Sequence, residues 1–122
     1  MEDICFHLQS LGLTPIISHP ERQPLIQERP ERLGRLVDLG CLAQLTAGSL
    51  TGDFGRRIAR VSRQLVKKGY IHLLASDTHN TRSRPPILSL AVSALSKLIG
   101  PEQARAMVTR TSAKIIKGEP VP

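Results

Sequence analysis

The segment "LLASDTHNTRSRPP", residues 73–86, places Asp77 and His79 two positions apart, where a hydrophobic run gives way to a polar, basic loop. In an extended segment, side chains two positions apart project to the same side, so both can reach one pocket. Carboxylate oxygens and neutral imidazoles suit a divalent transition metal such as Mn, Fe or Zn. The pair therefore predicts a metal site. The alternative is a capping or turn-forming Asp77 beside an ordinary loop histidine.

A second histidine ends another apolar run. His19 closes "TPIISH" and opens the polar segment "HPER". In parallel α/β folds the loops after the strand ends build the binding site, so we expect His19 to meet Asp77 and His79 there. A metal bound by these three side chains can lower the pKa of a bound water to about 7, which makes metal-bound hydroxide the expected reactive group.

Arginines accompany both candidate ligand segments. Arg22 follows His19 by three residues, and Arg82 and Arg84 follow His79 by three and five. Guanidinium groups match phosphate oxygens in a bidentate manner, so Arg22 and Arg84 are candidates for orienting a phosphoryl group. Ordinary surface solvation is the alternative for both.

Three further ionisable residues have simpler interpretations. Glu21 either orients a neighbouring site residue or is exposed. His72 lies inside an apolar run and His7 inside a helical pattern, so both are expected to be structural.

Short hydrophobic strands alternate with helical patterns along the chain. The pattern predicts strands over 14–19, 41–46 and 70–76, and helices over 4–12, 30–40, 52–69, 85–100 and 101–118. The segment "QLTAGSLTGDFG" after the second strand is predicted to be a glycine-bearing turn. This alternation favours an α/β fold with a parallel sheet. Three strands are few for such a sheet, so the chain either pairs with another copy or forms part of a larger barrel.

The charge balance indicates an anionic partner. The 122 residues carry 17 Lys and Arg against 10 Asp and Glu, a net charge of +7. One predicted helix has a cationic stripe at helical spacing, whose simplest interpretation is a solvated face: Arg56, Arg60, Arg63 and Lys67. Nucleic-acid binding is disfavoured because the chain has no Trp, one Tyr and two Phe for base stacking.

The chain shows no sign of export or membrane insertion. No apolar run approaches the roughly 20 residues that a membrane helix requires, and the acidic start "MEDICFHLQS" lacks the basic lead of a secretory signal. Cys5 and Cys41 are isolated thiols without metal-type spacing. We therefore expect a reducing, cytoplasmic setting.

Three segments together resemble a known family. "PIISHPER", "GCLAQLTAGSLTGDFG" and "HLLASDTHNTRSRPP" follow one another as successive signatures do in the bacterial PHP-superfamily tyrosine phosphatases of the CpsB/CapC/YwqE type. The resemblance implies a distorted seven-stranded βα barrel holding divalent metals, usually manganese. It also implies hydrolysis of phosphotyrosine on proteins, notably the bacterial tyrosine kinases that control capsule and exopolysaccharide synthesis. His19, Asp77 and His79 would be metal ligands, and Arg22 and Arg84 would lie near the phosphate.

The chain departs from the family pattern at its start. The family opens with an H-x-H motif and adds acidic ligands before the HPER strand, and neither is present here. Residues 1–122 are therefore predicted to be the C-terminal portion of a PHP domain whose N-terminal half is absent, with about three parallel strands and flanking helices.

Two alternative functions and a homo-oligomeric state are also compatible with the sequence. The protein could be another PHP phosphoesterase, acting on a small ester such as histidinol phosphate. It could also be an inactive remnant that acts only as a binding module. Association into a homo-oligomer is possible in each case.

Overall fold

The computed structural model describes residues 2–75 and 88–109, together with residues 111, 114 and 115. Three strands, β1 (Ile16–Ser18), β2 (Leu42–Thr46) and β3 (Leu73–Ala75), form one parallel sheet in the order β1-β2-β3. A turn of 3-10 helix, Pro20–Arg22, follows β1 directly. The α-helices are α1 (Glu2–Ser10), α2 (Pro24–Glu28), α3 (Glu31–Asp38), α4 (Ala47–Thr51), α5 (Arg56–Lys67), α6 (Leu88–Ile99) and α7 (Pro101–Val108). The prediction of three parallel strands with flanking helices is confirmed.

The register of the sheet aligns the carboxyl ends of its strands. Ser18 lies opposite Gln44 in the first pair, and Thr46 lies opposite Ala75 in the second. Helices connect each strand to the next, as connections between parallel strands require. The carboxyl ends of all three strands therefore lie at one edge of the sheet.

Aliphatic side chains fill the space between the sheet and its helices. Leu45 from β2, Leu33 from α3 and Leu65 from α5 are completely buried, and Leu95 from α6 joins them. In α5 the apolar positions Val61, Leu65 and Val66 face this core, while the arginines of the same helix are exposed. This apolar stripe holds α5 against the sheet, because burying each such side chain contributes about 1.5–3 kcal/mol.

Two short helices were not predicted. The segment after β2 was expected to be a turn, but Ala47–Thr51 forms α4, whose first four residues are buried. Gly52 ends it in a left-handed conformation, with φ 97°. Pro24 begins α2 where no helix was expected. The strands are also shorter than the apolar runs that predicted them.

Candidate functional site

The carboxyl ends of the three strands share one edge of the sheet, and the residues after β1 and β2 lie there. His19 comes directly after β1, α4 comes directly after β2, and β3 ends two residues before Asp77. The sequence predicted that the candidate site would form here. Asp77, His79, Arg82 and Arg84 lie outside the described residues, so their approach to His19 stays a prediction.

His19 combines a backbone constraint with a buried ring nitrogen. Its backbone N–H donates to Gln44 O at 2.9 Å, so it extends the β1–β2 ladder by one residue beyond the strand. Its φ of 37° and ψ of 58° are left-handed, and it is the one non-glycine residue with positive φ in the described part of the chain. Such a conformation costs an L-residue roughly 1–2 kcal/mol.

The imidazole of His19 suits a metal ligand. Its Nδ1 is buried and finds no hydrogen-bond donor or acceptor among the described residues, although most buried polar atoms are paired. A neutral imidazole nitrogen is a preferred donor for Mn, Fe or Zn. No group of three His, Cys, Asp or Glu side chains that could hold a metal occurs within 2–75 and 88–109. His19 is thus a candidate ligand whose predicted companions, Asp77 and His79, lie outside the described residues.

Glu21 is completely buried in the 3-10 turn. Its Oε2 accepts a 2.6 Å hydrogen bond from Ser49 Oγ and a 3.3 Å bond from the backbone N–H of Thr46. Its own backbone carbonyl accepts a bond from Gln27 Nε2 at 2.9 Å. The carboxylate therefore joins the turn after β1 to the start of α4 after β2. Of the two interpretations of Glu21 from sequence, the exposed one is wrong.

Arg22 lies over an aromatic ring at the same edge. Its guanidinium carbon is 4.2 Å from the centroid of the Phe54 ring, and its Nε is 4.0 Å from Glu21 Oε2. The ring limits the orientations of the guanidinium, and the carboxylate adds an electrostatic restraint. The Arg22 side chain stays 28% exposed. A fixed and accessible guanidinium of this kind can receive a phosphate or carboxylate oxygen.

Sequence reasoning missed the two side chains that hold this arrangement. Ser49 and Phe54 belong to the segment that was expected to be a glycine-bearing turn, and neither was singled out. Their partners lie far away in sequence, since 28 residues separate Glu21 from Ser49. The sequence showed only that a Ser and a Phe follow a buried strand within one polar segment, and this could have marked them as candidates.

The remaining histidines and the cysteines have structural positions. The backbone N–H of Ala43 donates to His72 Nδ1 at 3.1 Å, and burial lowers the pKa of His72 from its ordinary value of 6.5. His7 is exposed on α1. Cys5 and Cys41 are buried free thiols. Burial, reinforced by the neighbouring Cys5 thiol, raises the pKa of Cys41 to about 11.

Comparison with protein families identifies one that spans nearly the whole chain. Residues 1–117 match the family described as "Capsular polysaccharide synthesis, CpsB/CapC". The tyrosine-protein phosphatase YwqE of Bacillus subtilis is 36% identical over 120 residues, which cover 98% of this chain and 47% of that protein. The tyrosine-protein phosphatase CpsB of Streptococcus pneumoniae is 30% identical over 111 residues, which cover 87% of this chain and 46% of that protein.

A solved structure shows the same arrangement. The matched chain comes from a study of the crystal structures of YwqE from Bacillus subtilis and CpsB from Streptococcus pneumoniae. That study describes the two proteins as unique metal-dependent tyrosine phosphatases. The match has a TM-score of 0.92 and 35% sequence identity, and it covers 99% of this chain and 49% of the other. The chain thus spans about half the length of the relatives it matches. The described strands and helices correspond to part of that larger fold.

Proposed function

Since this chain belongs to the CpsB/CapC family of capsular polysaccharide synthesis, we propose that it contributes a metal- and phosphate-binding segment to a protein-tyrosine phosphatase. Residues 1–122 would form the C-terminal portion of a PHP-type barrel. The observation that carries the proposal is the segment His19–Arg22. There, a buried imidazole nitrogen without a described partner lies three residues from a guanidinium fixed on Phe54.

The proposed metal ligands are His19, Asp77 and His79. The buried Nδ1 of His19 supports its role, and Asp77 and His79 follow the strand that pairs with β2. Manganese is the metal we expect, with iron or zinc as alternatives, because all three accept imidazole and carboxylate ligands. A divalent metal bound there would supply Lewis-acid polarisation and an activated water near neutral pH.

The chain's own side chains would bind and orient the phosphoryl group. Arg22 would donate to its oxygens and offset their negative charge, and Arg84 would do the same from the segment after β3. The contact with the Phe54 ring restricts the orientations of the Arg22 guanidinium, which supports this role. Glu21 fixes the turn itself, so that Arg22 and His19 keep a constant separation. Tyrosinate would then leave as the P–O bond breaks.

The proposed substrates are phosphotyrosine proteins, and a bacterial tyrosine kinase of capsule or exopolysaccharide synthesis is the partner we favour. No helix within the described residues is long and apolar enough to cross a membrane. The free thiols Cys5 and Cys41 suit a reducing compartment, and we place the protein in the cytoplasm. A homo-oligomer remains part of the proposal because each edge strand of the described sheet has one unpaired side.

The test is phosphate release from a phosphotyrosyl peptide. The purified chain is stripped with a chelator, assayed, and assayed again after manganese is added. We expect activity only with metal, and we expect Asp77→Ala and Arg22→Ala to abolish it. Arg29→Ala, an exposed arginine away from the edge, should leave it unchanged. Turnover that resists chelation would contradict the proposal.

The same assay separates the related small-molecule function. A panel of small phosphate esters, histidinol phosphate included, is compared with the phosphopeptide under identical metal loading. Faster turnover of a small ester would replace the protein-phosphatase proposal with that alternative. Metal binding without any turnover would instead favour a non-catalytic binding module.

A further inference from the structure

An arginine-lined groove runs along the outer face of α5, next to the candidate site. The groove has a volume of about 360 Å³, and Leu50, Thr51 and Ala59 are among its lining residues. Arg56, Arg60 and Arg63 line one side. All three arginines are exposed, and successive members are three or four residues apart, so they form one row on the helix.

No ion pair in the described part of the chain compensates the positive charge of this row. α5 contains no Asp or Glu, and no ion pair of the described residues involves Arg56, Arg60 or Arg63. Asp53, the nearest acid in sequence, is exposed and makes no such pair either. Guanidinium groups held this close repel one another, and an anionic occupant would relieve that repulsion.

The arginine row begins close in the chain to the edge where the candidate site lies. α5 packs against the 3-10 turn that contains Arg22. Phe54, whose ring lies under Arg22, is two residues before the first arginine of the row. A polypeptide with its phosphotyrosine near Arg22 could therefore continue into the groove.

We propose that this groove docks an acidic segment of the phosphotyrosine substrate, one rich in Asp and Glu beside the modified residue. The proposal rests on the proposed function for its substrate. A polypeptide suits the groove better than other anions. None of the described residues that line the groove is an aromatic that could stack on bases. Among the described residues, α5 has no exposed large apolar side chain to enter a membrane surface.

The test measures binding of a labelled peptide that contains Asp, Glu, Gly and Ser but no phosphotyrosine. Fluorescence anisotropy is recorded in the presence of a chelator, so the result does not depend on a metal or on turnover. We expect the variant Arg56→Ala/Arg60→Ala/Arg63→Ala to weaken binding about tenfold, the sum of three modest exposed ion pairs. Raising the salt concentration should weaken binding to the parent chain.

A charge-matched control distinguishes docking from general attraction. Arg29→Ala/Arg35→Ala/Arg105→Ala removes three exposed arginines from other elements and should bind like the parent chain. Equal weakening in both triple variants, or in neither, would overturn the proposal. Tighter binding of a DNA duplex or of anionic vesicles than of the acidic peptide would overturn it as well. Binding of the peptide by a chain that shows no phosphatase activity would support docking and contradict only the catalytic proposal.

Discussion

Ser49 donates a 2.6 Å hydrogen bond to the buried carboxylate of Glu21 and so joins the turn after β1 to the helix after β2. Both side chains are fully buried. A hydrogen bond to a charged group in such a place is short and strong, and its loss leaves the other group without compensation. This hydrogen bond therefore couples the ends of β1 and β2, together with the bond from the Thr46 N–H to the same carboxylate oxygen.

Removing this hydrogen bond should destabilise the fold. We expect Ser49→Ala to lower the free energy of unfolding by about 1.5–3 kcal/mol, measured by urea denaturation, because Glu21 loses its best donor. Ser62→Ala is the matched control. Ser62 is equally buried but donates only to the carbonyl of Ile58 in its own helix, so its loss should cost less than about 1 kcal/mol. Equal losses of unfolding free energy in the two variants would show that the hydrogen bond to Glu21 contributes no more than one within a helix.

Arg22 should be sensitive to a change that preserves its charge. We expect Arg22→Lys to weaken inhibition by inorganic phosphate about tenfold, since lysine loses the bidentate donors and the planar stacking on Phe54. Phe54→Leu should weaken it less, because the guanidinium remains but is less restrained. Inhibition constants for phosphate, measured in the metal-loaded phosphatase assay, check both. A lysine variant that binds phosphate as well as the parent would remove Arg22 from the site.

The left-handed backbone at His19 predicts an unusual order of stabilities. His19→Gly and His19→Ala both lose the imidazole, but only glycine adopts φ 37° without strain. We expect the glycine variant to be more stable than the alanine variant by about 1 kcal/mol in urea denaturation. Manganese binding should fall equally in both. The reverse order of stability would mean that the backbone relaxes once the side chain is removed.

His72 makes the stability depend on pH. Its Nδ1 accepts the N–H of Ala43 and must be unprotonated to do so, and burial lowers its pKa from 6.5. The unfolded chain therefore takes up a proton at a higher pH than the folded chain. This contribution to stability is complete above pH 6.5 and is lost as the pH falls below that value.

Two substitutions check this pH dependence. His72→Asn keeps an acceptor near the position of Nδ1 but cannot titrate, so its urea midpoint should fall less than that of the parent between pH 7.5 and 5.5. The exposed His7 provides the control, because His7→Gln should fall as much as the parent. If the urea midpoint of His72→Asn falls as much as that of the parent, other groups cause the pH dependence.

Cys41 should be unreactive in the folded protein. It is 1% exposed, Cys5 is 4% exposed, and burial raises the pKa of Cys41 to about 11 from 9.0. Since the thiolate is the reactive form, Ellman's reagent at pH 8 should detect both thiols only after denaturant is added. The folded state favours the thiol, so its stability should also decline as the pH rises from about 9 to 11. Rapid labelling without denaturant would contradict the buried position.

Much of the fold could be predicted from local patterns. Apolar runs bounded by Gly and Pro gave the three parallel strands, and helical periodicity placed Val61 and Leu65 of α5 in the core, with Arg60 and Arg63 exposed. These features follow from side-chain alternation and repeat length, which act over a few residues. Helix α4 was missed because Gly48, Ser49 and Gly52 favour turns by local preference. Burial of its first four residues overrides that preference.

The candidate site was predicted less completely. Residue type and position after a strand were enough to propose His19, Arg22, Asp77 and His79 as site residues, and their roles stay a prediction. Glu21 could not be placed, because its burial depends on Ser49 and Thr46, which the sheet brings to it from a distance of 25 residues or more. Contacts of this kind arise from tertiary packing and leave no local pattern in the sequence.

On the proposed metal-binding role of His19, its left-handed backbone sets activity against thermal stability. A directed-evolution experiment that rewards survival at high temperature alone should enrich glycine or asparagine at position 19, since both tolerate the left-handed region. Retention of histidine under thermal selection alone would show that the left-handed backbone at this position costs little stability. In a library selected for both activity and thermal stability, the residue found at position 19 would show which selection was stronger.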